Sequence, residues 1–311
     1  MGVQLPFPID PQLTAIAVMY RNERLIADEV MPRVSVGQRE FKWNKWDLRD
    51  GMTVPSTLVG RKSAPNQVSF GYSEQASSIL DYGLDDPVPN SDIQSAPAGR
   101  DPRALSTMFL RQLIALDREV RVAGETFNAS NYATANKATL SGTSQWSHAS
   151  SDPVAAIIDA LDTVVMRPNI AVFGQAVWSK VRRHASVLEA IKSTGGAISK
   201  GTVTRQQFAD LFELEQVLVG ESWVNNARKG QDASMARAWG KHAAFLYRDR
   251  VAAEAGQVTW GFTAALGTPI AGTIPKPEQG LYGSQLVRVG ESVREVVTAT
   301  DLGYLFIDAV A

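Results

Sequence analysis

The feature that most constrains this chain is an unbroken helical period over residues 101–128. Apolar residues recur there at steps of three and four, which places them on one stripe of a helix. The stripe consists of Leu105, Phe109, Leu113, Leu116, Val120, Ala123 and Phe127, widened by Met108, Ile114 and Val122. The charged residues Arg111, Asp117, Arg118, Glu119, Arg121 and Glu125 fall mostly on the other side.

The start of this helix is marked by Asp101, which can cap free N–H groups, and by Pro102, which suits the first helical position. A helix over this range is about 40 Å long, well beyond the usual length in a globular domain. Two interpretations stay open. The helix lies in the centre of a core, which periodicity alone favours, or it is a strut that stiffens a flat, extended molecule.

Charge and composition limit the functions open to the chain. Its 311 residues include 31 basic and 32 acidic side chains, for a net charge of −1. This balance argues against a protein whose main task is to neutralise phosphates. The absence of cysteine excludes disulfides, thiol catalysis and thiolate metal sites. No apolar run approaches the ~20 residues that span a bilayer, and the N-terminus lacks a secretory pattern, so we expect a soluble, unsecreted product.

Residues 34–80 predict a projecting β-hairpin. Strand-like stretches at 34–46 and 68–80 flank about 20 residues with two glycines, two prolines and no core-forming period. Hairpin loops in compact domains usually have about two to five residues, so a disordered surface excursion is one interpretation. A hairpin completed by another copy of the chain is the interpretation we favour, because a lone ribbon cannot bury large side chains. Those side chains are Trp43, Trp46, Phe70 and Tyr72.

The remaining segments predict a mixed α+β architecture. Residues 1–33 form an arm with one helix over 11–30, and residues 81–100 form a connection that feeds the long helix. From about residue 151 helices and strands alternate. We predict helices that start at Asp152, span 175–192 and follow a Thr204 cap, and strands over 170–174, 216–219, 243–247, 258–262 and in the tail 285–310.

We find no set of residues that predicts catalysis, a metal site or a cofactor. None of His148, His184 and His242 has a partner histidine three or four residues away. The sequence contains no GxxxxGK, GxGxxG or GxSxG motif. These observations favour a structural or binding protein. An α/β enzyme acting through residues 151–280 and a DNA-binding module remain as alternatives.

Three stretches resemble the major capsid proteins of tailed bacteriophages. They are YRNERLIADEVMPRVSV, FNASNYATANKATLSGTSQWSHASSDPVAAIIDALDTV and RPNIAVFGQAVWSKVRRHASVLEAIK. The resemblance covers nearly the whole chain, and the order of its parts is similar to that of the Hong Kong 97-type capsid fold.

The resemblance implies an α+β Hong Kong 97-type fold with four parts. These would be an N-terminal arm at 1–33, an extended β-hairpin loop at 34–80, a peripheral domain at 81–150 and 281–300 with spine helix 101–128, and an α/β axial domain at 151–280 and 301–311. Within the extended loop we expect contacts between subunits at Trp43, Trp46, Arg49, Asp50, Arg61 and Lys62. Lys–Asn cross-links occur in some members, but no catalytic acid can be assigned beside Lys42, Lys45, Lys62, Asn44 and Asn66, so we expect none here.

The function implied is that of a major capsid protein, structural and without enzymatic activity or cofactor. Such a protein self-assembles as hexamers and pentamers into an icosahedral head around double-stranded DNA, which it holds without sequence specificity. Its partners would be a separate scaffolding protein, a portal and, as a further candidate, a decoration protein, with no role for a membrane. The product would belong to the virion and assemble in the host bacterial cytoplasm. An encapsulin-like compartment shell, which shares the fold but encloses enzymes, is the alternative.

Overall fold

The computed structural model describes residues 7–19, 24–46, 54–67, 72–193, 201–228, 230–249 and 258–311, with backbone alone for 44–46 and 72–73. Within these residues the body of the chain consists of two five-stranded sheets, each covered by helices. Two further pairs of strands form hairpins outside the sheets.

The first sheet is organised around its longest strand, β13. Its strands are β1 (Arg33–Ser35), β4 (Leu80–Pro89), β11 (Gly261–Ala265), β12 (Ile270–Lys276) and β13 (Ser284–Val297). Strand β13 pairs antiparallel with β4, β11 and β12, and β1 pairs parallel with β11. The accompanying helices are α1 (Pro11–Met19), α2 (Ala27–Val30), α3 (Asn90–Ser95) and α4 (Pro102–Thr126).

Helices α1 and α4 pack on the same face of this sheet. Leu13 and Ala17 of α1 share a buried cluster with Leu110 and Ile114 of α4 and with alternate residues of β13. Because side chains alternate across a strand, Val287, Val289, Glu291 and Val293 all point to this face, and all four are buried.

The second sheet has the strand order β5-β14-β10-β6-β7. These strands are β5 (Lys137–Thr139), β6 (Ile170–Gly174), β7 (Gln216–Gly220), β10 (Ala243–Leu246) and β14 (Gly303–Ile307). The accompanying helices are α5 (Pro153–Thr163), α6 (Gln175–Val181), α7 (Ala185–Ser193) and α8 (Arg205–Phe212). Single 3₁₀ turns lie at Ala129–Asn131, Thr134–Asn136, Gly142–Ser144 and Thr300–Leu302.

Both faces of the second sheet are buried, which explains its continuous apolar strands. Ala171 and Phe173 pack against α5 to α8 on one face. Ile170 and Val172 face the other way, into a cluster that includes Val122 from the C-terminal end of α4. The long helix therefore joins the two sheets.

The predicted hairpin is present. Strands β2 (Glu40–Trp46) and β3 (Tyr72–Ser78) pair from Glu40↔Ser78 to Trp46↔Tyr72. A long connection separates them, as the sequence predicted, and residues 54–67 within it are exposed. The predicted first strand begins too early, since Arg33–Ser35 belongs to the first sheet as β1.

Residues 81–100, predicted as a connection, instead form β4 and α3. Strand β4 pairs with β13 over ten residues, from Leu80↔Val293 to Pro89↔Ser284. Pro87 and Pro89 suggested a loop. Within the described chain, however, β4 pairs only with β13, and an edge strand tolerates proline because its outward N–H needs no partner.

Three other predicted elements differ from the structure. The helix predicted over 11–30 is two helices, α1 and α2. The helix predicted over 175–192 breaks between α6 and α7, where the Nδ1 atom of His184 accepts the Ser186 N–H at 3.3 Å and caps α7. The strand predicted over 258–262 begins at Gly261 and belongs to the first sheet.

Strand β7 and the helix that precedes it follow the prediction. Thr204 caps α8 by accepting the Gln207 N–H at 3.2 Å, in a reciprocal capping box. A last pair of short strands, β8 (Trp223–Asn225) and β9 (Met235–Arg237), forms a small hairpin after β7.

Candidate assembly surfaces

The first half of the long helix α4 turns part of its apolar stripe away from its own chain, while Ile114, Val122 and Ala123 of that stripe are buried. Its start is as predicted, with the Asp101 carboxylate accepting the Arg103 N–H at 2.9 Å. Leu105, Phe109 and Leu113 are 46%, 67% and 53% exposed, although periodicity favoured a core helix with these residues inside. That interpretation is wrong for this part of the helix, whose outward face is the apolar one.

The opposite face of α4 carries buried charges beside the apolar contacts of Leu110 and Ile114. Glu291 of β13 has a side chain only 2% exposed and accepts hydrogen bonds from Arg33 at 3.0 Å and Arg111 at 2.8 Å. Burial alone would raise the pKa of the Glu291 carboxyl, but the charges of Arg33 and Arg111 outweigh it and hold that pKa below the ordinary value. Glu291 therefore stays ionised between two guanidinium groups.

Arg118, about two turns further along α4 than Arg111, connects the N-terminal arm to the same network. Its guanidinium donates to the carboxylate of Asp28, to the Met31 carbonyl at 3.2 Å and to the Thr263 hydroxyl at 3.0 Å. The side chain is 2% exposed. Burial opposes ionisation of Asp28, yet Arg118 and Arg33 lower the pKa of this carboxyl below its ordinary value. The arm, the helix and the sheet are thus joined by charge-assisted hydrogen bonds.

Glu119 joins the arm, the long helix and the second sheet. This fully buried carboxylate accepts the backbone N–H groups of Ile26 at 3.1 Å and Ala27 at 2.9 Å, and the indole N–H of Trp239 at 2.6 Å. Trp239 fits there because Gly220 has no side chain: a Cβ at that position would lie 2.0 Å from the indole. Burial raises the pKa of Glu119 despite these three donors.

The residues predicted to contact other subunits lie along the hairpin. Trp43 is half-buried against Phe41, with ring centroids 5.6 Å apart, at the base of the hairpin. Arg61 and Lys62 are exposed in the connection between β2 and β3. The side chain of Trp46, together with Arg49 and Asp50, lies outside the described residues. The role of these six residues in contacts stays a prediction.

The structure also exposes apolar side chains that sequence reasoning did not select. Leu281 and Tyr282, in the turn between β12 and β13, are 90% and 72% exposed. Trp223 and Met235 project from the β8–β9 hairpin, where Arg237 lies 3.9 Å above the Trp223 ring. These residues are isolated in turns and short strands, so no periodicity marks them.

The histidines hold local structure together. His184 is buried and its ring nitrogens contact the hydroxyls of Ser186 at 2.9 Å and Ser151 at 3.1 Å. His242 accepts the backbone N–H of Asp308 at 3.0 Å, and burial lowers the pKa of its imidazole.

Among the described residues, no three His, Asp or Glu side chains are grouped as metal ligands. No helix in those ranges is long and apolar enough to cross a bilayer.

Comparison with known proteins identifies the family to which the chain is similar. A profile described as phage major capsid protein E matches residues 73–301. The chain is 52% identical over 306 residues to the major capsid protein of Pseudomonas phage JBD67. The match covers 98% of each protein.

Solved structures share the fold at lower identity. A phage-related protein from Bordetella bronchiseptica RB50 matches with a TM-score of 0.78 at 24% identity, covering 98% of this chain and 99% of that one. The capsid of cyanophage P-SCSP1u matches at 0.63 and 10% identity, covering 93% and 89%. An encapsulin complex from Synechococcus elongatus matches at 0.55 and 8% identity, covering 100% and 94%.

Proposed function

Because the chain belongs to the phage major capsid protein E family, we propose that it forms the hexamers and pentamers of an icosahedral head around double-stranded DNA. The observation that carries this proposal is the 52% identity to a phage major capsid protein over 98% of both chains. The protein is a major capsid protein, a component of the virion that self-assembles into a shell. Its α+β, Hong Kong 97-type fold is the one predicted from the sequence.

The four structural parts take the roles that the family resemblance suggested. We assign the arm to residues 1–33 and the extended loop to 34–80. Strands β4, β11, β12 and β13 form the peripheral domain with α4, and the second sheet with α5 to α8 forms the axial domain. Strands β11 and β12 pair with β13, so our peripheral domain takes in residues 261–276, which the sequence had placed in the axial domain.

Subunits join through the extended loop and through exposed apolar turns. In the connection between β2 and β3, Val54 is 90% exposed and Leu58 is 89% exposed. Such apolar exposure indicates a contact with another molecule. The predicted contacts at Trp43, Trp46, Arg49, Asp50, Arg61 and Lys62 belong to this loop. A closed shell holds each subunit by several such contacts at once, so each contact can be modest.

Partners other than the protein itself follow from its role. The near-neutral charge supports packaging of DNA without sequence specificity, since the coat does not need to bind phosphates tightly. A separate scaffolding protein and a portal complete assembly, which takes place in the host bacterial cytoplasm. A decoration protein is a further candidate, and the proposal involves no membrane.

Electron microscopy of the purified protein tests this function. We expect closed, hollow particles from the protein alone or with its scaffolding protein. Particles from infected cells should contain DNA and a portal. Particles that contain packaged enzyme and lack a portal would instead support the encapsulin-like alternative, which shares the fold. A protein that stays monomeric in both preparations would refute the shell function.

A further inference from the structure

The outward side of α1 and α4 forms an exposed apolar surface, which we call the helix-pair face. It consists of Val18 and Met19 of α1 and of Leu105, Met108, Phe109 and Leu113 of α4. Each of these side chains is at least 37% exposed, and Met19 is 81% exposed. A folded monomer rarely presents so many large apolar side chains together without a partner.

The two helices lie side by side in contact with each other. Asp10, just before α1, acts electrostatically on Arg103 at the start of α4. Further along, Leu13 and Ala17 pack with Leu110 and Ile114. The helices therefore run in the same direction on the same sheet face. Side-chain ridges on such a pair can pack against a third helix.

The lack of charge limits what can bind to the helix-pair face. Helix α1 has no charged residue, and Arg111 is the only charged residue between Ala104 and Leu116. Arg111 points inward and pairs with Glu291. The helix-pair face is therefore uncharged over more than three turns of α4. A polyanion such as DNA binds through basic side chains, which this face lacks. The surface that complements the helix-pair face is therefore itself apolar and uncharged.

The helix-pair face and the extended loop lie on opposite sides of the first sheet. Phe41 and Ile79 at the base of the hairpin pack on Phe262 and Val296. Val296 points to the opposite side of β13 from Val287 and Val289, which face α4. The hairpin thus leaves from the sheet face that α1 and α4 do not cover. Away from this cluster, that face carries the exposed ion pair of Arg288 with Asp85 at 2.7 Å.

In a single-layered shell, which is the proposed function on which this step rests, all copies direct the helix-pair face to the same side. The same face of a second copy therefore cannot lie on it, and a neighbour's hairpin leaves from the other side. We propose that the helix-pair face binds an amphipathic α-helix of a separate assembly protein. The bound helix presents apolar residues at i, i+4 and i+7 with no charge along that seam.

Site-specific photocross-linking tests this proposal during head assembly in phage-producing cells. The photoreactive residue p-benzoylphenylalanine replaces Phe109; it keeps the phenyl ring and adds a benzoyl group, for which the exposed position leaves room. We expect cross-links to one helical segment of a separate protein, identified by mass spectrometry of the joined peptides. The matched control carries the same residue at exposed Arg294, on the opposite sheet face, and should not give this product. Cross-links to another copy of the chain, to DNA, or to nothing would overturn the proposal.

A pair of substitutions tests the same surface without a cross-linker. Phe109→Gln combined with Leu113→Gln should keep the melting temperature, since both side chains are exposed, and should lower the yield of uniform shells by about tenfold or more. Ile158→Gln, 46% exposed on α5, is the control and should leave that yield unchanged. Normal shells from the double variant would overturn the proposal. The absence of shells from the unmodified protein would instead refute the shell function.

Discussion

Replacing Glu119 with alanine should destabilise the subunit by about 3–5 kcal/mol, because it leaves three buried donors without an acceptor. Those donors are the backbone N–H groups of Ile26 and Ala27 and the indole N–H of Trp239. At about 1–3 kcal/mol for each unsatisfied donor the loss is about 3–9 kcal/mol. Removing a buried carboxylate also relieves its desolvation, which brings the expected loss to the lower half of that range.

Glu119→Gln should cost less, about 1–3 kcal/mol. A glutamine can keep the Oε1 contacts with Ile26 and Trp239 but directs its NH₂ group at the Ala27 N–H. The matched control is Asp117→Ala on the same helix. Asp117 is 58% exposed and pairs with Arg121, so its loss should cost about 0.5 kcal/mol or less.

Urea unfolding of the unassembled subunit, followed by far-ultraviolet circular dichroism, measures these differences. A double-mutant cycle with Trp239→Phe isolates the indole contact and should give a coupling of at least about 0.5 kcal/mol. If Glu119→Ala costs no more than Asp117→Ala, Glu119 does not join the arm to the second sheet as described.

The pH dependence provides an independent check on Glu119. Burial raises the folded-state pKa of this carboxyl above its ordinary value of 4.5. Its contribution to stability is therefore complete below pH 4.5 and is lost as the pH rises through the folded-state pKa. The difference in unfolding free energy between the native protein and Glu119→Gln should shrink as the pH increases. A difference that grows with pH would contradict this account.

Three further predictions concern the ion network, the long helix and the hairpin. Glu291→Ala should cost about 3–5 kcal/mol in urea unfolding, because it strands buried Arg111, whereas exposed Arg294→Ala should cost about 0.5 kcal/mol or less. Because the pKa of Glu291 is lowered, its contribution is present above pH 4.5 and is lost as the pH falls through the folded-state pKa; an acid transition unchanged by Glu291→Ala would contradict this. Leu113→Pro should destabilise α4 by about 3 kcal/mol or more and abolish the helical circular dichroism of the folded subunit, whereas Leu113→Gln should not. Deletion of exposed residues 54–67 should leave the melting temperature unchanged and prevent closed shells, so normal shells by electron microscopy would refute the assembly role of the hairpin.

The sequence predicted those elements whose local signals agree with their burial within the chain. The cap and proline at Asp101 and Pro102 marked the start of α4, and the apolar run of β6 marked a strand buried on both faces. Strand β4 was missed because an edge strand accepts the prolines that usually indicate a loop. Its partner, β13, lies about two hundred residues away, and no local pattern encodes such a pairing.

The orientation of α4 escaped prediction for a different reason. Periodicity identifies residues that share a face, but it does not say which molecule covers that face. In a monomeric protein the apolar face packs on the chain's own core. In a shell subunit another molecule can cover that face. Here α4 packs on its own sheet through Leu110 and Ile114 and also through Arg111 and Arg118, whose charges are matched by Glu291 and Asp28.

This arrangement has an energetic consequence for assembly. Buried ion pairs add little net stability compared with apolar contacts of the same size, but they are strongly destabilising when one partner is lost. Rolling α4 to bury Phe109 would remove Arg111 from Glu291 and leave that buried carboxylate with Arg33 alone. The ion network therefore keeps the apolar stripe facing outward before any partner is bound. In the free subunit these apolar side chains therefore stay outside the core and are available for contacts during assembly.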